Sequence, residues 1–215
     1  MSDDRATDVR HLDGTTAEGS AEAASVLEAG GLVVHPTSTV YGIGGAATAA
    51  LDAEIARLKG RSPDTPFIRL APSVDALRAE CPHLEWDDRA RRLAAGFWPG
   101  SLTLVLPDGT ARGLAVRVDA HPAVAALLAR WGRLMSSTSL NPHGAPPCRT
   151  PESVLAVLGG LPSTEVPIAF LDAGPLPAAP PSTVVTLLER PARVLREGAV
   201  SLEAVRECIE EVDVG

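Results

Sequence analysis

Hydroxyls and glycines are interleaved in the run His35-Pro36-Thr37-Ser38-Thr39-Val40-Tyr41-Gly42-Ile43-Gly44. In an extended segment Thr37 and Thr39 point to one face, and the glycines let the backbone come close to a ligand. That pattern suits the capture of a small polar molecule; it equally suits a plain strand and turn. Lys59-Gly60-Arg61 follows at the end of a predicted helix. Its two cations either answer the negative end of the helix dipole or clamp phosphates, with Arg61 bidentate and Lys59 a mobile point charge. A hydroxyl and amide cluster, Ser136-Ser137-Thr138-Ser139-Leu140-Asn141, follows an apolar strand, and Ser182 and Thr183 enter another. Arg196 ends a strand before a turn at Gly198, and Arg117 lies inside the apolar run 114–118. A buried arginine needs an anionic partner; the candidates are Asp119, Glu197 or a ligand.

Several chemistries are absent from the pattern. There is no GxxxxGK[ST] loop, no HExxH, no GxSxG and no kinase set. Gly42-Ile43-Gly44-Gly45 lacks the third glycine and the acidic follow-up of a dinucleotide fingerprint. His11, His35, His83, His121 and His143 do not pair at metal-ligand spacing, and Cys81, Cys148 and Cys208 form no CxxC. Neither a protein-held metal nor a disulfide framework is expected. The net charge of −8 argues against a chain that coats nucleic acid, because that affinity comes from Lys and Arg neutralising phosphates. It leaves room for an anionic small substrate in a locally positive cleft. The polar, acidic start is not a signal peptide, and no apolar run approaches the ~18–20 residues of a membrane span. A cytoplasmic protein is expected.

The elements that must position these residues alternate in type. Helices are predicted at 17–29, 51–58, 74–80 capped by Ser73, 86–97, 123–131, from Pro151, and 201–212. Strands are predicted at 32–34, 67–71, 102–106, 115–118, 134–137, 168–171, 184–188 and 194–195. Interleaved strands and helices make the class α/β. The adjacent strand pairs 102–106/115–118 and 184–188/192–196 imply antiparallel hairpins in a mixed sheet. With 215 residues, 45% hydrophobic and 3% aromatic, one domain with an aliphatic core is expected from residue 16 onward, behind a flexible stretch at 1–15.

The order of the motifs is more specific than any one of them. PTSTVYG, KGR, FWPGSLTLVLP (97–107), Val116-Arg117, Ser137 to Asn141, PSTVV (181–185) and LREG (195–198) follow one another as in the YrdC-like L-threonylcarbamoyladenylate synthases. The chain resembles that family over about residues 20–205, in its short bacterial form without an extra C-terminal domain. The resemblance implies an open, twisted mixed sheet with flanking helices and a deep concave nucleotide-binding face. It implies synthesis of threonylcarbamoyl-AMP and pyrophosphate from L-threonine, bicarbonate and ATP, with Mg²⁺ arriving on the ATP. The product then passes to a transferase that modifies tRNA to threonylcarbamoyladenosine; direct tRNA binding is weak or absent. By resemblance, Lys59 and Arg61 bind phosphates and carry the catalysis. Thr39, Arg117, Ser137 and Ser182 hold threonine; Ser139, Asn141 and Arg196 surround the nucleotide. The chain departs from the family at Ser38, Thr65, Leu70 and Leu140, with Leu140 expected to change pocket volume. The alternatives are a non-catalytic nucleotide or double-stranded RNA-binding module, or a paralogue using another amino acid or carbamoyl donor.

Overall fold

The computed structural model describes residues 9–62, 65–142 and 144–214; His143 and residues 1–8 lie outside that range. The strands are β1 (Val9–Asp13), β2 (Leu32–His35), β3 (Gly42–Ala46), β4 (Ile68–Leu70), β5 (Leu102–Leu106), β6 (Leu114–Arg117), β7 (Met135–Ser139), β8 (Ile168–Asp172), β9 (Thr183–Thr186), β10 (Ala192–Arg196) and β11 (Val212–Val214). The helices are α1 (Ala17–Glu28), α2 (Ala49–Lys59), α3 (Val74–Glu80), α4 (Asp88–Phe97), α5 (Pro122–Trp131), α6 (Pro151–Leu158) and α7 (Leu202–Cys208). All described strands join one open sheet in the order β1-β8-β2-β3-β7-β4-β6-β5-β9-β10-β11. The two expected hairpins are present: β5 pairs antiparallel with β6, and β9 with β10. The pairs β2/β8, β4/β6 and β5/β9 are parallel, so the sheet is mixed.

Side-chain alternation explains the layers. Val33, Ala169 and Leu171 point to one face and pack under α1 and α5, through Ala23, Leu27, Val124 and Leu127. Leu32, Val34, Ile168 and Phe170 point to the other and meet Ile55 and Leu58 of α2 and Val154 and Leu158 of α6. With helices over both faces, β2 is buried throughout. Towards the other end of the sheet, α3, α4 and α7 cover Leu104, Val116, Val185 and Val194.

Two expectations are corrected, and one further strand is added. The stretch 9–15 is not a loose start: β1 pairs with β8 from Val9↔Ile168 to Asp13↔Asp172, and Asp13 Oδ1 accepts from the Thr15 amide at 2.8 Å. The closing helix stops at Cys208, where Ile209 turns extended, and the chain then adds β11 to the sheet edge. The run 42–46 is a strand lying between β2 and β7. Glycine is weak in strands unless a close approach requires it. Here it does: a Cβ on Gly44 would lie 2.2 Å from the Ser136 carbonyl oxygen.

Candidate functional site

A cavity of about 640 Å³ opens where the 36–42 turn, the end of β7 and the start of β9 converge. Thr39, Arg61, Arg117, Ser137, Ser139, Asn141, Ser182 and Arg196 all line it, and Arg149 joins them. Four arginines therefore face one space, and no carboxylate among the described residues lines it. Its volume is that of a small-molecule or cofactor site.

Each side chain is held by its own element. After β2 the chain bends at 38–40 instead of staying extended, and Thr37 Oγ1 ties the bend by donating to the Val40 carbonyl at 2.7 Å. The two threonine hydroxyls still meet, at 3.1 Å. Gly60 closes α2 with φ 60°. That left-handed residue reverses the chain, and Arg61 turns back over the sheet. Its guanidinium lies 4.3 Å above the Phe67 ring, and Nη1 donates to Thr138 Oγ1 at 2.8 Å. Arg61 Nε stays buried without a partner, as does Asn141 Oδ1. Asn141 is oriented by its amide, which donates to the carbonyls of Pro142 and Ala145 at 3.1 and 2.7 Å. An unpaired buried polar atom is costly, and these two lie in one cavity lining.

Arg117 is 4% exposed. Its buried partner is Asp119, with Nη2 to Oδ2 at 2.5 Å, and its Nε donates to the Gly100 carbonyl at 2.8 Å. Burial pulls its pKa down, and Asp119 opposes that shift. Arg196 clasps Ser182: Nε donates to its carbonyl at 3.0 Å and Nη2 to its hydroxyl at 3.1 Å. Arg149 donates through Nε to the Thr39 carbonyl at 3.4 Å and through Nη2 to that of Ala179.

Lys59 departs from expectation. It is not in the cavity lining; its Nζ donates to the Ser139 carbonyl and to Thr138 Oγ1. Burial, then the neighbouring Arg61 charge, brings its pKa down to about 8. Lys59 and Arg61 thus meet on one hydroxyl, that of Thr138, which itself lines the cavity. Leu140 and Leu70 are corrected as well. Both are fully packed core residues and neither lines the cavity, so the larger Leu140 does not reduce its volume. Ser38 has a direct structural answer: its amide and hydroxyl donate to Asp119 Oδ1 at 3.0 and 2.8 Å. Thr65 lines the cavity. Sequence reasoning omitted Arg149 and left Thr138 unassigned within the 136–141 cluster; nothing in the spacing around Arg149 separated a cavity arginine from a surface one.

The family model for Sua5/YciO/YrdC, described as telomere recombination, matches residues 25–198. The chain belongs to this family. It is 36% identical over 204 residues to a protein of Mycobacterium tuberculosis named "Putative threonylcarbamoyl-AMP synthase", covering 89% of each. It is 37% identical over 140 residues to the threonylcarbamoyl-AMP synthase of Xanthomonas euvesicatoria, covering 60% of this chain and 74% of that one. Among solved structures it is similar to P. abyssi Sua5 complexed with L-threonine, at 30% identity and TM-score 0.84; the match covers 97% of this chain and spans 63% of that one. E. coli YciO shares the fold, with TM-score 0.73 at 23% identity over 89% of this chain and 96% of that one. Among the described residues of this Sua5/YciO/YrdC member, no helix is long and apolar enough to cross a membrane.

Proposed function

We propose that this chain is an L-threonylcarbamoyladenylate synthase, joining L-threonine, bicarbonate and ATP into threonylcarbamoyl-AMP and pyrophosphate for threonylcarbamoyladenosine formation in tRNA. The observation that carries the proposal is the convergence of Arg61, Arg117, Arg149 and Arg196 on one cavity, together with small hydroxyls and with no carboxylate among the described lining residues. Named synthases related over most of the chain support it, as does a structural relative that was solved with L-threonine.

The chemistry needs placement and positive charge. The neutral threonine amine attacks the carbon of CO₂, released from bicarbonate with loss of water; the C–N bond forms and the amine gives up a proton. A carbamate oxygen then attacks the α-phosphorus of ATP, and the bond to the bridging oxygen of the β-phosphate breaks, freeing pyrophosphate. Negative charge grows on phosphoryl oxygens, so fixed guanidinium groups stabilise the transition state, and holding the reactants together removes an entropic barrier. Arg61, which lines the cavity, meets the phosphates; Lys59 supports them through Thr138 and Ser139. Arg117, Thr39, Ser137 and Ser182 take the amino acid, and Ser139, Asn141 and Arg196 the nucleotide. Mg²⁺ would come as a companion of the triphosphate: with no carboxylate in the described lining, phosphate oxygens and water would hold it, and it would supply charge neutralisation there. The reaction is assigned to the cytoplasm, with the product handed to a threonylcarbamoyl transferase. Pyrophosphate release from ATP by the purified chain tests the proposal. Release that requires both L-threonine and bicarbonate supports it; release indifferent to threonine refutes it.

A further inference from the structure

His35 ends β2 and is fully buried. Its register partner is Gly42 of β3, and β3 pairs on its other side with β7, Gly44 opposite Ser137 and Gly42 opposite Ser139. By strand alternation His35, Gly42, Gly44, Ser137 and Ser139 share one face, and both serines line the cavity. Because β3 carries hydrogens where other strands carry side chains, His35 reaches across it. Its Nε2 lies 3.1 Å from Ser137 Oγ. A Cβ on Gly42 would come within 3.1 Å of both His35 Cε1 and Ser137 Oγ. The glycine strand is what allows the pair to meet.

The other ring nitrogen decides the direction of that bond. His35 Nδ1 faces the Pro36 carbonyl at 3.3 Å. A carbonyl oxygen only accepts, so Nδ1 carries the hydrogen. A neutral imidazole then has a bare lone pair on Nε2, and the Ser137 hydroxyl donates to it. Burial keeps the ring neutral, bringing its pKa down to about 4. With its one hydrogen spent on His35, Ser137 Oγ has only lone pairs to offer the cavity.

We propose that His35 is a positioning residue that makes Ser137 an obligate hydrogen-bond acceptor, so that the site selects an amino acid by an N–H or O–H group directed at Ser137. The proposal rests on the amino-acid role given to Ser137 under the synthase reading. It extends that reading to a residue outside the cavity lining. A serine free to rotate would accept or donate alike; one fixed by His35 rejects a ligand acceptor at that point, because two lone pairs would face each other.

The test is L-threonine binding to the full chain by calorimetry, with catalysis measured separately. His35→Phe, which fills the space but accepts nothing, is expected to weaken L-threonine about tenfold and leave ATP affinity unchanged. His35→Gln keeps an acceptor and is expected to stay within about threefold of wild type. Ser137→Ala is expected to lose at least as much as His35→Phe, and His35→Phe in the Ser137→Ala background to cost nothing further, since one acts through the other. L-2-aminobutyrate, which lacks the hydroxyl, identifies the donor: a loss confined to threonine marks its O–H, and an equal loss for both marks the amine. His35→Phe binding threonine like wild type overturns the proposal, as do additive losses in the double variant. If His35→Phe fails to fold, the Gln and Ser137→Ala arms decide: equal losses in both overturn it. A wild-type chain that binds threonine but makes no adenylate defeats the synthase reading and leaves this test intact.

Discussion

Removing the Asp119 carboxylate strikes the polar hub of the site. Asp119 Oδ1 accepts from the Ser38 amide, the Ser38 hydroxyl and the His121 amide at 3.0, 2.8 and 2.8 Å, while Oδ2 meets Arg117 at 2.5 Å. Both side chains are almost completely buried, at 4% and 0% exposure. In Asp119→Ala the Arg117 guanidinium stays buried without its counter-charge, which costs about 3–5 kcal/mol. At about 2–4 °C per kcal/mol for a chain of this size, the melting temperature should fall by about 6–20 °C. Arg117→Met/Asp119→Ala removes both charges and should recover much of that loss, because neither ion is left unpaired. Ser38→Ala serves as the control: it deletes one hydrogen bond and keeps the ion pair, for about 0.5–1.5 kcal/mol. Urea denaturation at constant m measures all three. An Asp119→Ala protein less than about 1 kcal/mol below wild type would refute the buried-pair reasoning, since the lower bound for an orphaned buried ion is well above that.

Arg61→Ala should keep its fold and lose about 10²–10³ in kcat for pyrophosphate release, the usual effect of removing one charge-stabilising donor; steady-state kinetics with a melting curve checks both halves. For Lys59, whose pKa is brought from 10.5 to about 8, the unfolded chain binds the extra proton between those values. Stability should therefore rise with pH across that window, while activity that uses the Lys59 charge falls above about pH 8. Lys59→Arg should hold activity flat to higher pH in the same rate profile. Leu140→Ala should cost about 2–5 kcal/mol as a core cavity and leave the threonine KM unchanged, which denaturation and kinetics report separately. Gly44→Ala should destabilise by about 1–3 kcal/mol through overpacking, since its Cβ would meet the Ser136 carbonyl at 2.2 Å.

What could be read from sequence followed from side-chain pattern and local chemistry. Ser73 capping α3 is visible in residue types alone, and its hydroxyl does accept from the Ala76 amide at 3.1 Å. The two antiparallel hairpins followed from adjacent apolar runs. β3 was hidden because Gly-Ile-Gly-Gly-Ala has almost no strand preference; its strand state comes from neighbours β2 and β7 pressing close on both sides. β1 carries one buried residue in five, so its pairing with β8 left little pattern. Helix periodicity ran on past Cys208 because Ile209 and Val212 are buried for another reason, as a cap and an edge strand. Within the site, motif order located the cavity-lining hydroxyls and Arg61, Arg117 and Arg196. It placed Lys59 in the cavity when the residue stands behind it, because spacing along a chain does not say which way a long flexible side chain turns. Leu140 was misread for the same reason: adjacency to Ser139 in sequence becomes the opposite face of the sheet in space.

The most direct measurement is the mass of the nucleotide product made from ATP, L-threonine and ¹³C-bicarbonate. A cavity that aligns a threonine carbamate with the α-phosphate yields an adenylate containing threonine and one heavy carbon, with pyrophosphate in equal amount. Conversion of ATP to ADP or AMP with no threonine-containing adenylate would contradict it.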